Sequence, residues 1–155
     1  MKNLKLLPNI FVLIFILSCT NKTKINSLDI TDKGERIETL KKEIKINSGI
    51  ENAEFDLFNV NGFSDDFISL PGSSSCNYKF VVRVKPKDVS QWTKNLSVIN
   101  GEVNSEQWML KLIQKRKNEW ITCSKPIFYS REGESGIKII VYEKEGIIYK
   151  SIFED

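Results

Sequence analysis

Tyr78, Phe80, Val82 and Val84 alternate with Lys79, Arg83 and Lys85 across Asn77–Lys85, and no other stretch of the chain constrains its fold as firmly. A period of two puts the four apolar side chains on one face of an extended strand. That strand must pair along its edges and bury its apolar face against another layer. Val81 is the exception, an apolar residue on the charged face. Pro86 ends the run, because proline has no N–H to give to a ladder.

Partners for it are readable nearby. Ile137–Glu143 and Ile147–Phe153 flank Lys144-Glu145-Gly146, a hairpin signal. In Ala53–Val60, Phe55 and Leu57 fall on one face and Glu54 and Asp56 on the other. Phe58 and Val60 then break the alternation, as a bulge or a change of face would. Leu96–Ile99, closed by the Asn100-Gly101 turn signal, and Lys125–Tyr129 read as short strands, the second at an edge because of Pro126.

Helical spacing recurs three times. Ile37, Leu40 and Ile44 make a narrow stripe in Lys33–Lys45, with Thr31 or Asp32 placed to cap it and Gly49 marking the exit. Val89 and Trp92 share a face after Asp88. Trp108, Met109, Leu112 and Ile113 do so after Ser105, with Lys115-Arg116-Lys117 at the end that favours cations. Strands that come singly and then as a terminal hairpin, without regular βαβ alternation, predict an α+β fold. The expectation is two layers: an antiparallel sheet of four or five strands with two or three helices.

Composition removes many functions. Among 155 residues there is no histidine, which excludes Ser-His-Asp and Cys-His catalysis and histidine-ligated metals. The formal charge is +3, and two of the 23 basic residues, Lys2 and Lys5, lie in the first 18 positions. The remainder is nearly balanced, so nothing in it asks for nucleic acid. Phosphate-cradling glycine loops and a G-x-S-x-G elbow are absent, and no cofactor is expected. Ser135 and Lys138 match an S-x-x-K spacing without its companion elements, across a turn rather than on a helix.

The amino terminus is an address. After Lys2 and Lys5, the run Ile10–Leu17 is wholly apolar but only 8 residues long, far short of the roughly 20 that span a bilayer. Ile16-Leu17-Ser18-Cys19 resembles the lipobox of bacterial lipoproteins, an aliphatic, a variable and a small residue before the modified cysteine. The resemblance covers residues 1–19 and implies removal of Met1–Ser18. It implies a thioether diacylglycerol on Cys19, and N-acylation of the new terminus in many bacteria. Two or three acyl chains, at about 0.8 kcal/mol per buried CH₂, hold a protein firmly. Thr20 rather than aspartate after Cys19 resembles lipoproteins sent to the outer membrane in Gram-negative cells. Thr20–Leu28, largely polar with Asn21, Lys22, Lys24, Asn26 and Ser27, reads as a flexible tether, and residues 29–155 as one globular domain.

With Cys19 lipidated, Cys76 and Cys123 remain. A bridge between them would close a loop of about 48 residues and stabilise by about 4 kcal/mol. Two free buried thiols, or one reactive thiol, are the alternatives, the last without a histidine to activate it.

Asn61–Ser75 is the longest irregular segment. Within it Phe63 and Phe67 bracket Asp65-Asp66, either as a satellite core or as a contact loop for a partner. The acidic pair and Glu54 are the carboxylates a cell-wall hydrolase would use. Trp92 and Trp108 fall on apolar helix faces and read as core, with ligand stacking by the three tryptophans the alternative, and Trp120 is not assigned by its pattern. An anchor, one small domain and few catalytic groups point to a non-enzymatic envelope protein that binds a macromolecular partner at the membrane surface. A small-ligand carrier is the next reading, and it needs a cavity of several hundred Å³.

Overall fold

The alternating segment around Phe80 is strand β3 (Cys76–Val84). It pairs antiparallel with β2 (Ile50–Phe63) on one side and with β7 (Ile147–Glu154) on the other, Phe80 standing opposite Phe55 and Lys150. The hairpin partner of β7 is β6 (Ile137–Tyr142). Their connection closes at Gly146, whose φ of 63° is a conformation glycine adopts without strain. The computed structural model describes residues 22–63, 75–100, 107–131 and 136–154. Over these residues the remaining strands are β1 (Lys22–Asn26), β4 (Ser97–Ile99) and β5 (Ile127–Ser130). All join one antiparallel sheet in the order β1-β2-β3-β7-β6-β5-β4.

The α+β class therefore holds, but the sheet has seven strands rather than four or five. β5 is not an edge, since β4 pairs with its outer side. The largest correction is at the start of the chain. Lys22–Asn26, read as part of a flexible tether, is the edge strand β1 on β2, and Ser27 just after it is fully buried. Polar composition hid it, because an edge strand is held through its backbone and here only Ile25 packs inward, opposite Leu57. Between Lys22 and Lys24 the register jumps from Phe63 to Phe58, and Gly62 at φ 77° accommodates the irregularity.

The two-layer expectation is corrected as well. Phe55, Leu57, Phe80, Val82, Ile139 and Ile148 form one core with Leu40 of α1 (Lys33–Glu43) and with Val89 and Trp92 of α2 (Val89–Trp92). Val81, Ile140 and Tyr149 point the other way and meet Met109 and Leu112 of α3 (Gln107–Leu112), with Ile113 and Trp120. Helices thus cover both faces of the sheet. Val81 marked this in the sequence, since a strand buried on both faces loses its polar alternation. Asp32 caps α1 by accepting from Glu35 N at 2.7 Å. The three tryptophans belong to these cores: Trp92 and Trp120 are buried and Trp108 is half-buried against Tyr149. Among the described residues no helix is long and apolar enough to cross a membrane. Met1–Asn21, with Cys19, lie outside them, as do Asp65, Asp66, Phe67, Ser105 and Ser135.

Cys76 and Cys123 are free thiols at opposite ends of the sheet, which corrects the expected bridge. Cys76 pairs with Glu154, the last residue of β7, whereas Cys123 donates its N–H to Glu145, just before that strand begins. Most of a strand, about 20 Å at 3.3 Å per residue, separates them, and a disulfide needs Cα atoms within about 7 Å.

Candidate binding cleft

Neither α1 nor α2 reaches the far end of the sheet face they cover. Beneath their ends an open cleft of about 700 Å³ remains. Its floor is apolar, made by Tyr78 and Phe80 of β3, Ile137 and Ile139 of β6 and Ile152 of β7. Alternation explains the set, because these positions share the face of Phe55 and Leu57, with Phe80 and Ile139 inside the helix-covered core and half-buried Tyr78, Ile137 and Ile152 at its margin. The roof comes from Ile44 and Asn47 after α1 and from Gln91 and Trp92 of α2. Trp92 fixes that roof by donating its indole N–H to Ser48 Oγ at 2.7 Å, which ties α2 to the α1–β2 connection.

Charges ring the opening. Lys45, Lys94, Arg131 and Lys150 are set against Glu43 and Glu154, an excess of cations at the rim. At the end of the cleft, Tyr78 OH accepts from Asn59 Nδ2 at 3.3 Å, and its ring lies tilted against Phe63 with centroids 6.1 Å apart. Burial raises the Tyr78 hydroxyl pKa above its ordinary value. Cys76 Sγ donates toward Glu154 Oε2 at 3.8 Å. Burial first, and then the Glu154 charge, push the thiol pKa up, so it stays protonated near neutrality and lacks the thiolate a nucleophile needs. The chemistry available in the cleft is apolar contact, hydrogen bonding and charge pairing.

Of the four candidate contact residues on the expected loop Asn61–Ser75, the structure describes Phe63 only, and Asn61 and Gly62 before it belong to β2. Phe63 is the last residue of β2, half-buried against the first core, and so belongs to the satellite-core reading. Glu54 is not presented to any substrate. It is fully buried, with Oε2 accepting from Ser27 Oγ at 2.7 Å and from an Arg116 guanidinium N–H at 2.7 Å, and Oε1 lying 3.4 Å from Arg36 Nε. Arg36 is itself buried and donates to Ala53 O at 3.0 Å, Thr31 O at 2.8 Å and Asn52 Oδ1 at 3.2 Å. Arg116 and Lys115, expected at the cation-favouring end of the third helix, reach back to Ser27 O and Leu28 O, each at 2.8 Å or less. Among the described residues no three acidic or cysteine side chains gather as metal ligands would.

Comparison with protein-family models, with curated proteins and with solved structures returned no match for the chain.

Proposed function

We propose that the chain is a lipid-anchored protein of the bacterial envelope, held by acyl groups on Cys19, that acts without catalysis by binding a segment of another envelope protein. In a Gram-negative cell the outer membrane is its place, on the strength of Thr20. One observation carries the binding reading: the open cleft of about 700 Å³ beyond the ends of α1 and α2. Its size falls within the range of ligand sites, about 300–1,000 Å³. An apolar floor gives affinity to aliphatic or aromatic side chains, while the cationic rim selects for acidic neighbours. An open trough suits a protruding loop or chain end of a partner better than it suits a molecule that must be carried enclosed.

A photo-cross-linking residue at Ile152 in the floor, compared in intact cells with one at exposed Leu110 on the opposite face, tests this. A recurring protein adduct from position 152 and none from 110 is expected. The cavity volume also favours a second reading, a carrier of a small amphipathic anion. A small molecule retained in native mass spectra, with no protein adduct from position 152, would select the carrier. Neither signal would reject binding in the cleft altogether.

A further inference from the structure

The end of the sheet nearest the amino terminus carries exposed apolar side chains that no helix among the described residues covers. In the sheet register Phe58 of β2 stands opposite Asn77 of β3, and Asn77 opposite Phe153 of β7. Alternation puts Phe58 and Phe153 on the face of Val81, four residues along their strands from the row of Val81 and Tyr149 where α3 packs, and Val60 follows on the same side of β2. Phe58 is 40% exposed, Val60 49% and Phe153 48%. Lys24, beside Phe58 across the β1–β2 pair, is exposed, and Lys22 marks the first residue of β1.

Cys19 lies three residues before Lys22, and three extended residues span at most about 11 Å. Because β1 is part of the sheet rather than a tether, acyl chains on Cys19 would hold this end of the sheet against the head groups. We propose that Phe58, Val60 and Phe153 are the face on which the protein rests on the bilayer, with Lys22 and Lys24 beside the anionic head groups; this rests on the lipid-anchor reading. Apolar side chains flanked by lysines suit the boundary between head groups and acyl chains. A second copy is a poorer occupant. Three side chains of this size, about half exposed, offer roughly 250 Å², against about 800 Å² per partner in a stable dimer.

The test uses the acylated protein purified from membranes, with Cys76→Ser and Cys123→Ser and a single fluorophore on Phe153→Cys. A matching preparation carries the fluorophore on Val98→Cys, at the opposite edge strand. Each is reconstituted in phosphatidylethanolamine–phosphatidylglycerol vesicles and first floated on a density gradient. Protein that stays at the bottom removes the anchor reading and this proposal with it. Among protein that floats, a shallow spin-labelled lipid should quench the label at 153 at least twofold more than the label at 98, with aqueous iodide showing the reverse order. Equal quenching at the two positions overturns the resting face while leaving the anchor in place. Shielding of 153 from iodide without quenching by the lipid assigns the patch to a second copy or another protein instead, and likewise overturns it.

Discussion

Arg36 and Glu54 meet in the interior, Nε to Oε1 at 3.4 Å, with neither side chain more than 2% exposed. A buried pair of this kind is stabilising only when every remaining donor and acceptor is also satisfied. Here they are, by Ser27, Asn52, Arg116 and the carbonyls of Thr31 and Ala53. The group therefore joins α1, β2, the segment after β1 and the segment after α3 at one point. Replacing Glu54 with alanine leaves two guanidinium groups facing each other with no carboxylate between them. The expected loss is about 3–5 kcal/mol, read as a lower urea midpoint at unchanged slope. Ser27→Ala removes one hydrogen bond to Glu54 and one to Phe55 N, and should cost about 1–3 kcal/mol.

Gly146 closes the β6–β7 hairpin in the left-handed region, and a Cβ there would sit 2.0 Å from Val84 O. Val84 N also donates to Gly146 O at 2.9 Å, so the backbones cannot separate without losing that bond. Gly146→Ala meets both the conformational cost of about 1–2 kcal/mol and the overlap. A drop in melting temperature of about 4–8 °C is expected for about 2 kcal/mol. A near-wild-type melting curve would show that the hairpin relaxes more easily than this geometry allows.

Cys76 and Cys123 are free, so the double change to serine should alter stability by less than about 1 kcal/mol. A bridge would instead make the change cost about 4 kcal/mol. Thiol titration gives a second reading: exposed Cys123 should react with a disulfide reagent well before half-buried Cys76, whose pKa is raised.

Glu145 accepts hydrogen bonds from the N–H groups of Cys123 and Ser124 and from Ser124 Oγ, which brings its pKa down to about 2 from an ordinary value of 4.5. A carboxyl group whose pKa is lower in the folded state contributes stability above its unfolded pKa and loses it as pH falls toward the folded one. The contribution of Glu145 should therefore fade between about pH 4.5 and about pH 2. Urea midpoints across that window should fall less steeply for Glu145→Gln than for the parent protein. Solvent exposure of the site keeps the difference small.

Strong periodicity made β3, the β6–β7 hairpin and the cap of α1 legible, since alternation at Tyr78–Val84 and Asp32 before the apolar stripe of α1 are local signals. What was not legible depended on distant partners. The β1 strand has one inward apolar residue, and it becomes a strand only because the end of β2 lies beside it. Glu54 looked like a solvent-facing alternate because the arginines that bury it are 18 and 62 residues away in sequence. The cleft is a property of where α1 and α2 stop, and no short window contains that. Apolar residues such as Ile137 and Ile152 read as ordinary strand positions until the uncovered end of the face is seen.

Phe63 joins the structural and binding questions in one residue. Its ring lies against Tyr78, and Tyr78 forms part of the cleft floor. Complete truncation of a fully buried phenylalanine costs about 3–5 kcal/mol, and half-burial reduces this to about 1–2 kcal/mol for Phe63→Ala. Val98→Ala, at a site 66% exposed, serves as the control and should stay within about 0.5 kcal/mol of the parent. A Phe63 variant as stable as that control would return the residue to a partner-contact role. With the expected loss, Tyr78 also gains freedom, so the cross-link from position 152 should weaken in the Phe63→Ala background even where the protein remains folded. Circular dichroism at the assay temperature separates this effect from unfolding, and an undiminished cross-link in folded protein would show that Tyr78 keeps its place without the Phe63 ring.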